Sequence, residues 1–294
     1  MAEVQKPDAE MPPIPNAPIR RAPQGACDTH VHLMAGRDEF PLWEGRAESP
    51  APGPDLEGWL ALYRAQLDTL GFSRGVIVHS ILYGTDNSVT VEAVKRLGAG
   101  FRGVGLLPDG APDAALDQFV AWNMAAVRLN YVHGGVLTWD GAKAMAPALA
   151  ERGLHIQMLA HADRHLEDLA EDVRKLPVPV VFDHIGWPAD GLTPDSKGFQ
   201  ALCGLVRDGH AWVKLSAGYR MDTAPYRQTD ALLRALIDAN PERCLWGSDW
   251  PHLMLAGAAM PQAADLFNAF DRVMPDDATR QRILVDNPAQ LFGF

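Results

Sequence analysis

The sequence predicts an α/β protein folded as a distorted (β/α)8 barrel, also called a TIM barrel. Short apolar or β-branched runs alternate with longer segments of helical periodicity, and eight such repeats follow one another between residues 25 and 294. Several runs, such as 75–78 and 178–182, are continuously apolar, which is typical of parallel strands covered on both faces. Strand–helix repeats with right-handed crossovers close into such a barrel. An open doubly wound sheet is the alternative, but no Gly-x-Gly-x-x-Gly motif follows the first strand.

The elements follow from these patterns in order. Strands are predicted at residues 26–33, 75–79, 103–107, 126–130, 155–159, 178–183, 211–215 and 243–247. Helices are predicted at 56–70, 89–97, 114–122, 142–152, 166–176, 198–207 and 229–239, and a last helical region spans 261–291. Segment 56–70 shows the basis, because its apolar residues recur every three or four positions and form one stripe. Asp55 is its expected N-cap, and Gly71 its expected C-terminal glycine.

Composition, net charge and cysteine spacing exclude several classes of protein. Residues 1–24 are expected to form an extended proline-rich leader and residues 25–294 a single barrel domain. No apolar run is long enough for a membrane span, and a cytoplasmic location is expected. A formal net charge of −11 without a Lys/Arg cluster argues against nucleic acid or an anionic membrane as a partner. The three cysteines (Cys27, Cys203 and Cys244) lack metal-site or redox spacing and are expected to be buried free thiols.

Two histidines occupy alternate positions of the first strand. Successive side chains of a strand point to opposite faces, so His30 and His32 share one face. Each imidazole needs a hydrogen-bond partner, a metal or a substrate if it is buried. The pair therefore indicates a functional site, unless it is a solvated strand end.

Polar residues gather after the other strands as well. Chemistry in a (β/α)8 barrel takes place at the carboxyl ends of the strands. Residues at or just beyond those ends include His79, Tyr83, Arg128, Gln157, Asp183, His184, Lys214, Ser216, Tyr219, Arg220, Asp249 and His252. Structural polar residues would fall at either end of the strands. The asymmetry therefore predicts an enzyme.

Three of these residues have both a functional and a structural interpretation. Asp249, between two tryptophans, suits a general base or a metal ligand beside the two histidines, and otherwise caps a turn. His184 is expected at a strand mouth, where Gly186 would let a substrate approach closely; otherwise it is a core histidine. Arg128 is expected to face an anionic ligand or to pair with Asp183 or Asp86.

The sequence context of the other polar residues supports a functional role less strongly. Arg220 binds an anionic ligand or is solvated, and His252 contacts substrate or only caps its loop. His155, His161, His165 and His210 are expected at the surface or at helix ends.

Three motifs together resemble the amidohydrolase superfamily, in its amidohydrolase-related (amidohydrolase 2) branch. They are Asp-Thr-His-Val-His at 28–32, Asp-His-Ile-Gly-Trp-Pro at 183–188 and Gly-Ser-Asp-Trp-Pro-His at 247–252. The segments at 84–87, 127–130 and 177–184 further resemble 2-pyrone-4,6-dicarboxylate lactonases. The resemblance covers nearly the whole chain from residue 25.

The resemblance implies hydrolysis of a lactone, a cyclic ester. Asp249 would be the general base, and His30, His32 and His184 would polarise the lactone carbonyl and stabilise the oxyanion. Arg128 and Arg220 match arginines that bind substrate carboxylates in that lactonase. Two further arginines of the pattern are replaced by Gly134 and Trp187 here. A small anionic lactone that is less charged, or that stacks on Trp187, is therefore expected, with Tyr83 and His252 as further substrate contacts.

The resemblance leaves the metal and the reaction open. Superfamily members often complete a metal site with a carboxylated lysine on the fourth strand or a histidine on the fifth, where this chain has Arg128 and Gln157. No obligate metal is expected; the alternative is one Zn²⁺ or Mn²⁺ ion on His30, His32 and Asp249. The alternative reactions are lactone isomerisation of the galactarolactone type and hydrolysis by a metal-dependent amidohydrolase or sugar lactonase. A non-enzymatic binding protein is disfavoured, and a homo-oligomer is compatible with the sequence.

Overall fold

Eight parallel strands form the centre of the protein. The structure, a computed structural model, describes residues 6–294, so residues 1–5 of the predicted leader lie outside it. The strands are β1 Cys27–Val31, β2 Arg74–Val78, β3 Phe101–Gly105, β4 Met124–Asn130, β5 His155–Leu159, β6 Val180–Phe182, β7 Ala211–Ser216 and β8 Cys244–Gly247. Each strand pairs with the next in chain order. The predicted (β/α)8 barrel is confirmed.

Helices follow the strands and cover the outside of the sheet. They are α1 Leu56–Leu70, α2 Ser88–Leu97, α3 Asp113–Ala121, α4 Trp139–Glu151, α5 Ala162–Lys175, α6 Lys197–Arg207, α7 Asp230–Ala239, α8 Ala263–Arg272, α9 Asp277–Gln281 and α10 Asn287–Phe292. The Asp55 side chain caps α1 by accepting from the Gly58 N–H, and Gly71 ends it at φ 95°. Both predicted ends of α1 are confirmed. No helix within residues 6–294 is long and apolar enough to cross a membrane.

Several predicted boundaries were wrong. The first strand ends at Val31 and not at 33, because the chain turns into a loop there. Helices α4 and α5 begin three and four residues before the predicted starts of 142 and 166. The last helical region is not continuous: α8 and α9 are separate, and the turn Arg282–Asp286 has π-helical bonding before α10.

The barrel closes where β1 meets the chain just beyond β8. The Asp249 N–H donates to the His30 carbonyl oxygen (2.9 Å), and the His32 N–H donates to the Trp250 carbonyl oxygen (2.8 Å). Gly247 is required here, because a Cβ at this position would lie 2.6 Å from the Cβ of His30. We call this contact the β1–β8 seam. It places the two predicted histidines directly beside the predicted base.

The described part of the leader lies against the barrel domain. Residues 6–24 contain no helix, and the Ala9 N–H donates to the Ser49 carbonyl oxygen (2.8 Å). Further along, the Ala22 N–H donates to the Leu70 carbonyl oxygen at the end of α1 (2.8 Å). All three cysteines are buried and free, as predicted.

Candidate active site

The carboxylate of Asp249 is the centre of the candidate site. It is fully buried just beyond β8, and its two oxygens have different surroundings. Oδ2 accepts hydrogen bonds from the Tyr219 hydroxyl (2.7 Å) and from Nε of Arg220 (3.1 Å). Oδ1 has no hydrogen-bond partner among the described residues. One oxygen is therefore anchored, and the other is available for chemistry.

Three imidazoles surround the free oxygen. Asp249 Oδ1 lies 3.5 Å from Nε2 of His32, 3.6 Å from Nε2 of His30 and 4.0 Å from Nε2 of His184. The structure thus brings together all four residues predicted as catalytic. Burial raises the pKa of Asp249, but the charge of Arg220 and the neighbouring His184 outweigh it and hold the pKa well below its usual value. Asp249 is therefore a carboxylate at neutral pH.

The Nδ1 atoms of two of these imidazoles contact neighbouring polar groups. Nδ1 of His32 lies 2.9 Å from the Val78 carbonyl oxygen, and Nδ1 of His184 lies 2.9 Å from the Ser216 hydroxyl. Burial lowers the pKa of His184 to about 4, so this ring is neutral at pH 7. These contacts fix the ring orientations, so that the Nε2 atoms face the free carboxylate oxygen.

Several site residues have a strained backbone. His184, Ile185 and Trp187 after β6 and Asp249 and His252 after β8 all have positive φ, between 35° and 68°. Non-glycine residues adopt this region at a cost of roughly 1 kcal/mol or more each, and such residues cluster at functional sites. Gly186 also has positive φ, and its missing Cβ faces Leu202 and Ala162. Backbone geometry and helix packing therefore account for this glycine, and the approach of a substrate at Gly186 stays a prediction.

The residues predicted to bind substrate divide into two groups. Arg220, Trp187 and His252 adjoin the Asp249 cluster. The Arg220 guanidinium lies 5.9 Å from the Trp187 ring centre, and the His252 ring lies 5.2 Å from that of Tyr219. His252 is buried, and neither of its ring nitrogens has a hydrogen-bond partner among the described residues. An unpaired buried imidazole beside the base is a natural contact for a ligand.

Arg128 and Tyr83 are held by the protein itself. Arg128 donates from Nη1 to the His79 carbonyl oxygen (2.7 Å), while its Nε is unpaired within the described chain. The predicted alternative of an ion pair with Asp183 or Asp86 is not formed, although Asp183 contributes to the charge around Arg128. The Tyr83 hydroxyl accepts from the Ala35 N–H (2.8 Å), and the structure does not bring it into the cluster.

A second polar layer adjoins His30, and it is formed by residues that the sequence placed at strand ends without assigning them a catalytic role. Lys214 of β7, Gln157 of β5 and Asp183 after β6 are completely buried and contact His30 or one another. Burial lowers the pKa of Lys214 to about 8. The available signal was a lysine within the apolar strand sequence Ala-Trp-Val-Lys-Leu-Ser. His155 was also misjudged: it is buried against Phe292 and not at the surface.

A buried serine–carboxylate pair ties the seam together. Asp28, two residues before His30, accepts from the N–H (2.8 Å) and the hydroxyl (2.6 Å) of Ser248, the residue before Asp249. Burial raises the pKa of Asp28 to about 7. The pair fixes the distance between the histidines and the base across the seam.

The site also has a donor set suited to a divalent metal ion. Nε2 of His30, Nε2 of His32 and an oxygen of Asp249 all lie within 4.8 Å of one another, as do ligand atoms of His30, Asp183 and His184. Two imidazoles and a carboxylate are the ligands of many catalytic zinc sites, and Asp249 Oδ1 has no other partner among the described residues. The predicted set of His30, His32 and Asp249 therefore fits such an ion.

Known proteins share this fold and much of the sequence. The chain is 35% identical to a 4-sulfomuconolactone hydrolase of Rhizobium radiobacter over 98% of this chain and 96% of that protein. It is 32% identical to a 2-pyrone-4,6-dicarboxylate hydrolase of Comamonas testosteroni, over 95% and 93% of the two chains. A solved structure of a Pseudomonas putida protein, described as a putative 2-pyrone-4,6-dicarboxylic acid hydrolase, superposes with a TM-score of 0.74 at 28% identity, covering 92% of this chain and 97% of that one.

The family comparison covers the whole barrel. Residues 27–294 match the family model described as amidohydrolase. This range includes all eight strands and every residue of the Asp249 cluster. The chain therefore belongs to the amidohydrolase family.

Proposed function

We propose that this amidohydrolase-family enzyme opens the ring of a small anionic lactone by adding water. The observation that carries the proposal is the free Oδ1 of Asp249, which faces three imidazole Nε2 atoms at 3.5–4.0 Å. A buried carboxylate with one anchored and one free oxygen suits a general base, and the imidazoles surround the place where charge would develop. The relatives named as hydrolases of 4-sulfomuconolactone and 2-pyrone-4,6-dicarboxylate support a lactone as substrate.

The chemistry divides among the residues of the site. Asp249 accepts the proton of a water molecule as it attacks the lactone carbonyl carbon. The Nε2–H group of His30 and, with its Nδ1 accepting from the Ser216 hydroxyl, that of His184 donate to the carbonyl oxygen and stabilise the oxyanion. His32, whose Nδ1 donates to the Val78 carbonyl oxygen, lies beside them. Ring opening then breaks the acyl C–O bond, and the leaving oxygen takes up the proton to give a hydroxy acid or its keto form. A lactone is an activated ester compared with an amide, so these groups suffice for the step in our proposal, without an obligate metal.

A metal ion has a defined place in this scheme. If Zn²⁺ or Mn²⁺ binds, His30, His32 and Asp249 would hold it, and it would supply Lewis-acid polarisation of the carbonyl. Activity after chelation, measured together with elemental analysis, tests whether the ion is required.

The anionic group of the substrate is expected near Arg220, Trp187 and Arg128. Arg128 has an unpaired Nε, and Arg220 lies over Trp187. Gly134, which replaces an arginine of the dicarboxylate lactonase pattern, is exposed and provides no charge. We therefore favour a lactone with fewer negative charges than a dicarboxylate.

The decisive experiment is a panel of anionic lactones assayed in ¹⁸O-labelled water. Ring hydrolysis predicts a product that has gained one water molecule, whose ¹⁸O atom lies in the new carboxylate. An isomerase product keeps the mass of the substrate. Asp249→Asn should lower kcat by about 10²- to 10⁴-fold while the substrate still binds. Asp190→Asn is the matched control, because Asp190 is exposed and pairs only with Arg164 among the described side chains. Unchanged turnover in Asp249→Asn would refute its role as the base.

A further inference from the structure

Lys214 is a completely buried lysine that the proposed reaction does not use. Its Nζ lies 2.6 Å from Oε1 of Gln157, 3.3 Å from Nδ1 of His30 and 3.7 Å from Oδ1 of Asp183. A lysine ammonium carries three N–H donors and no acceptor. Gln157 and Nδ1 of His30 lie within hydrogen-bond distance of these donors, and Asp183 Oδ1 lies within ion-pair distance of the ammonium.

A hydrogen bond from Lys214 to Nδ1 would determine the position of the hydrogen on His30. A neutral imidazole carries one hydrogen, and a ring nitrogen that accepts a hydrogen bond from an ammonium cannot hold it. With Nδ1 of His30 as the acceptor from Lys214, the ring is the Nε2–H tautomer. Its Nε2 is then a donor towards the Asp249 cluster.

The neighbouring histidine has the complementary tautomer. Nδ1 of His32 lies 2.9 Å from the Val78 carbonyl oxygen, which can only accept, so Nδ1 carries the hydrogen and Nε2 is bare. The two Nε2 atoms are 3.3 Å apart. Hydrogen bonds consequently run in one direction, from Lys214 to His30, from His30 to His32 and from His32 to the backbone.

Asp183 competes with Lys214 for the same ring nitrogen. Its Oδ1 lies 3.2 Å from Nδ1 of His30, and its Oδ2 accepts from Nε2 of Gln157 (3.1 Å). If His30 donated from Nδ1 to Asp183, its Nε2 would become bare. Both histidines would then present lone pairs beside Asp249 Oδ1, which is the arrangement that a metal ion needs.

We propose that Lys214 is a positioning residue that selects the Nε2–H tautomer of His30 and so favours a hydrogen-bond donor over a metal ligand. The two buried groups, Lys214 and Asp183, act on one ring nitrogen with opposite effects. The inference rests on the proposed function only in that the same site is used. All of its readouts are made without substrate, so its failure would leave the lactonase proposal standing.

The first test removes the lysine charge. Lys214→Met keeps the length of the side chain and deletes its donors. In protein labelled with ¹⁵N-histidine, long-range NMR correlations report which ring nitrogen carries hydrogen, and the His30 signals are those lost in His30→Asn. We expect the hydrogen of His30 to move from Nε2 to Nδ1, and the affinity of the metal-free protein for Zn²⁺ to rise by roughly 10- to 100-fold. Lys143→Met is the control, because Lys143 pairs with Asp172 on the outside of the barrel.

The second test predicts a change of Zn²⁺ affinity in the opposite direction, and it does not depend on the folding of Lys214→Met. Asp183→Asn removes the competing acceptor and should keep hydrogen on Nε2 of His30 while Zn²⁺ affinity falls. If Nε2 of His30 is bare in the wild-type protein without metal, or if neither variant changes the tautomer and the Zn²⁺ affinity, the proposal is wrong.

Discussion

At the scale of single residues, the two arginines near the site have separate partners. Sequence reasoning assigned Arg128 and Arg220 the same task of binding a substrate anion. In the structure Arg220 donates to Asp249 Oδ2, and its side chain is only 14% exposed. Arg128 contacts a backbone carbonyl instead and keeps Nε unpaired within the described chain. The two side chains should therefore differ in their kinetic effects.

Arg128→Met is expected to raise KM by about 10-fold or more with little change in kcat, because it removes a charge that serves binding. Arg220→Met should lower kcat as well, because Asp249 loses the cation that keeps it ionised and oriented. Steady-state kinetics on the active lactone measures both. Equal effects of the two substitutions on kcat and KM would contradict the separation.

The success of prediction differed among residues for a physical reason. The clustering of His30, His32, His184 and Asp249 could be predicted because strand periodicity and the position of sites in a barrel follow general rules. The burial of His155 could not, because it depends on Phe292 at the other end of the domain. Lys214 was visible as an unusual residue in a strand, but its three partners come from β1, β5 and the loop after β6. Only the folded barrel brings these together.

At the scale of elements, the β1–β8 seam controls the geometry of the site. Ser248 donates from both N–H and hydroxyl to Asp28, and its hydroxyl accepts from the Trp250 N–H (3.1 Å). The first strand carries the imidazoles, and the segment after the last strand carries the base. Loss of the pair would therefore change stability and catalysis together.

Ser248→Ala should lower the free energy of unfolding by about 1–3 kcal/mol, because the buried Asp28 loses a hydrogen-bond donor. Urea unfolding measures the loss, and kcat should fall while KM changes less. Ser88→Ala is the matched control, since the exposed Ser88 hydroxyl contacts Asp86 at the surface. A fully stable and active Ser248→Ala protein would show that the pair does not fix the seam.

Gly247→Ala tests the seam from the opposite side. The added Cβ would meet the Cβ of His30 at 2.6 Å and its backbone nitrogen at 2.8 Å, so β1 and β8 must separate. Overpacking of this kind costs typically about 1–3 kcal/mol, and here the backbone contact prevents simple relief by a rotamer change. Gly204→Ala on α6 is the control, because the nearest atom to its added Cβ lies 3.6 Å away. Thermal unfolding compares the two; equal stability would contradict a tight seam.

At the scale of the whole molecule, buried neutral histidines make stability depend on pH. Burial lowers the pKa of His79 and His184 to about 4 and of His155 and His252 to about 3, against 6.5 for an unperturbed histidine. In the unfolded chain these rings take up protons below pH 6.5, and in the folded protein they do not. Their stabilising contribution is therefore complete above pH 6.5 and is lost as the pH falls towards 4.

Asp28 has the opposite effect on the pH dependence of stability. Burial raises its pKa to about 7 from a usual 3.8, so the folded protein takes up this proton first, and stability gains as the pH falls from 7. Each of these four histidines contributes about 2 kcal/mol less stability at pH 5 than at pH 7, and Asp28 offsets about one of them. Burial also lowers the pKa of His30 well below its usual value, so His30 adds to the loss in the same direction. The histidines therefore dominate.

Lowering the pH from 7 to 5 should consequently reduce the free energy of unfolding by about 5 kcal/mol or more. Urea titrations at the two pH values measure the difference. His155→Phe, which removes one buried histidine remote from Asp249, should show a smaller pH-dependent loss by about 2 kcal/mol. A wild-type protein equally stable at both pH values would mean that the four rings are not buried in the neutral form.

The β1–β8 seam also determines when a refolding chain becomes active. The hydrogen bonds of Asp28 with Ser248 join residues 220 positions apart, so they close most of the chain into one loop. Contacts of such long sequence separation are slow to form because the entropy of closing the intervening chain must be lost first. Helical signal and compactness should therefore return before turnover. The rate at which enzymatic activity returns during refolding should therefore measure the rate of barrel closure.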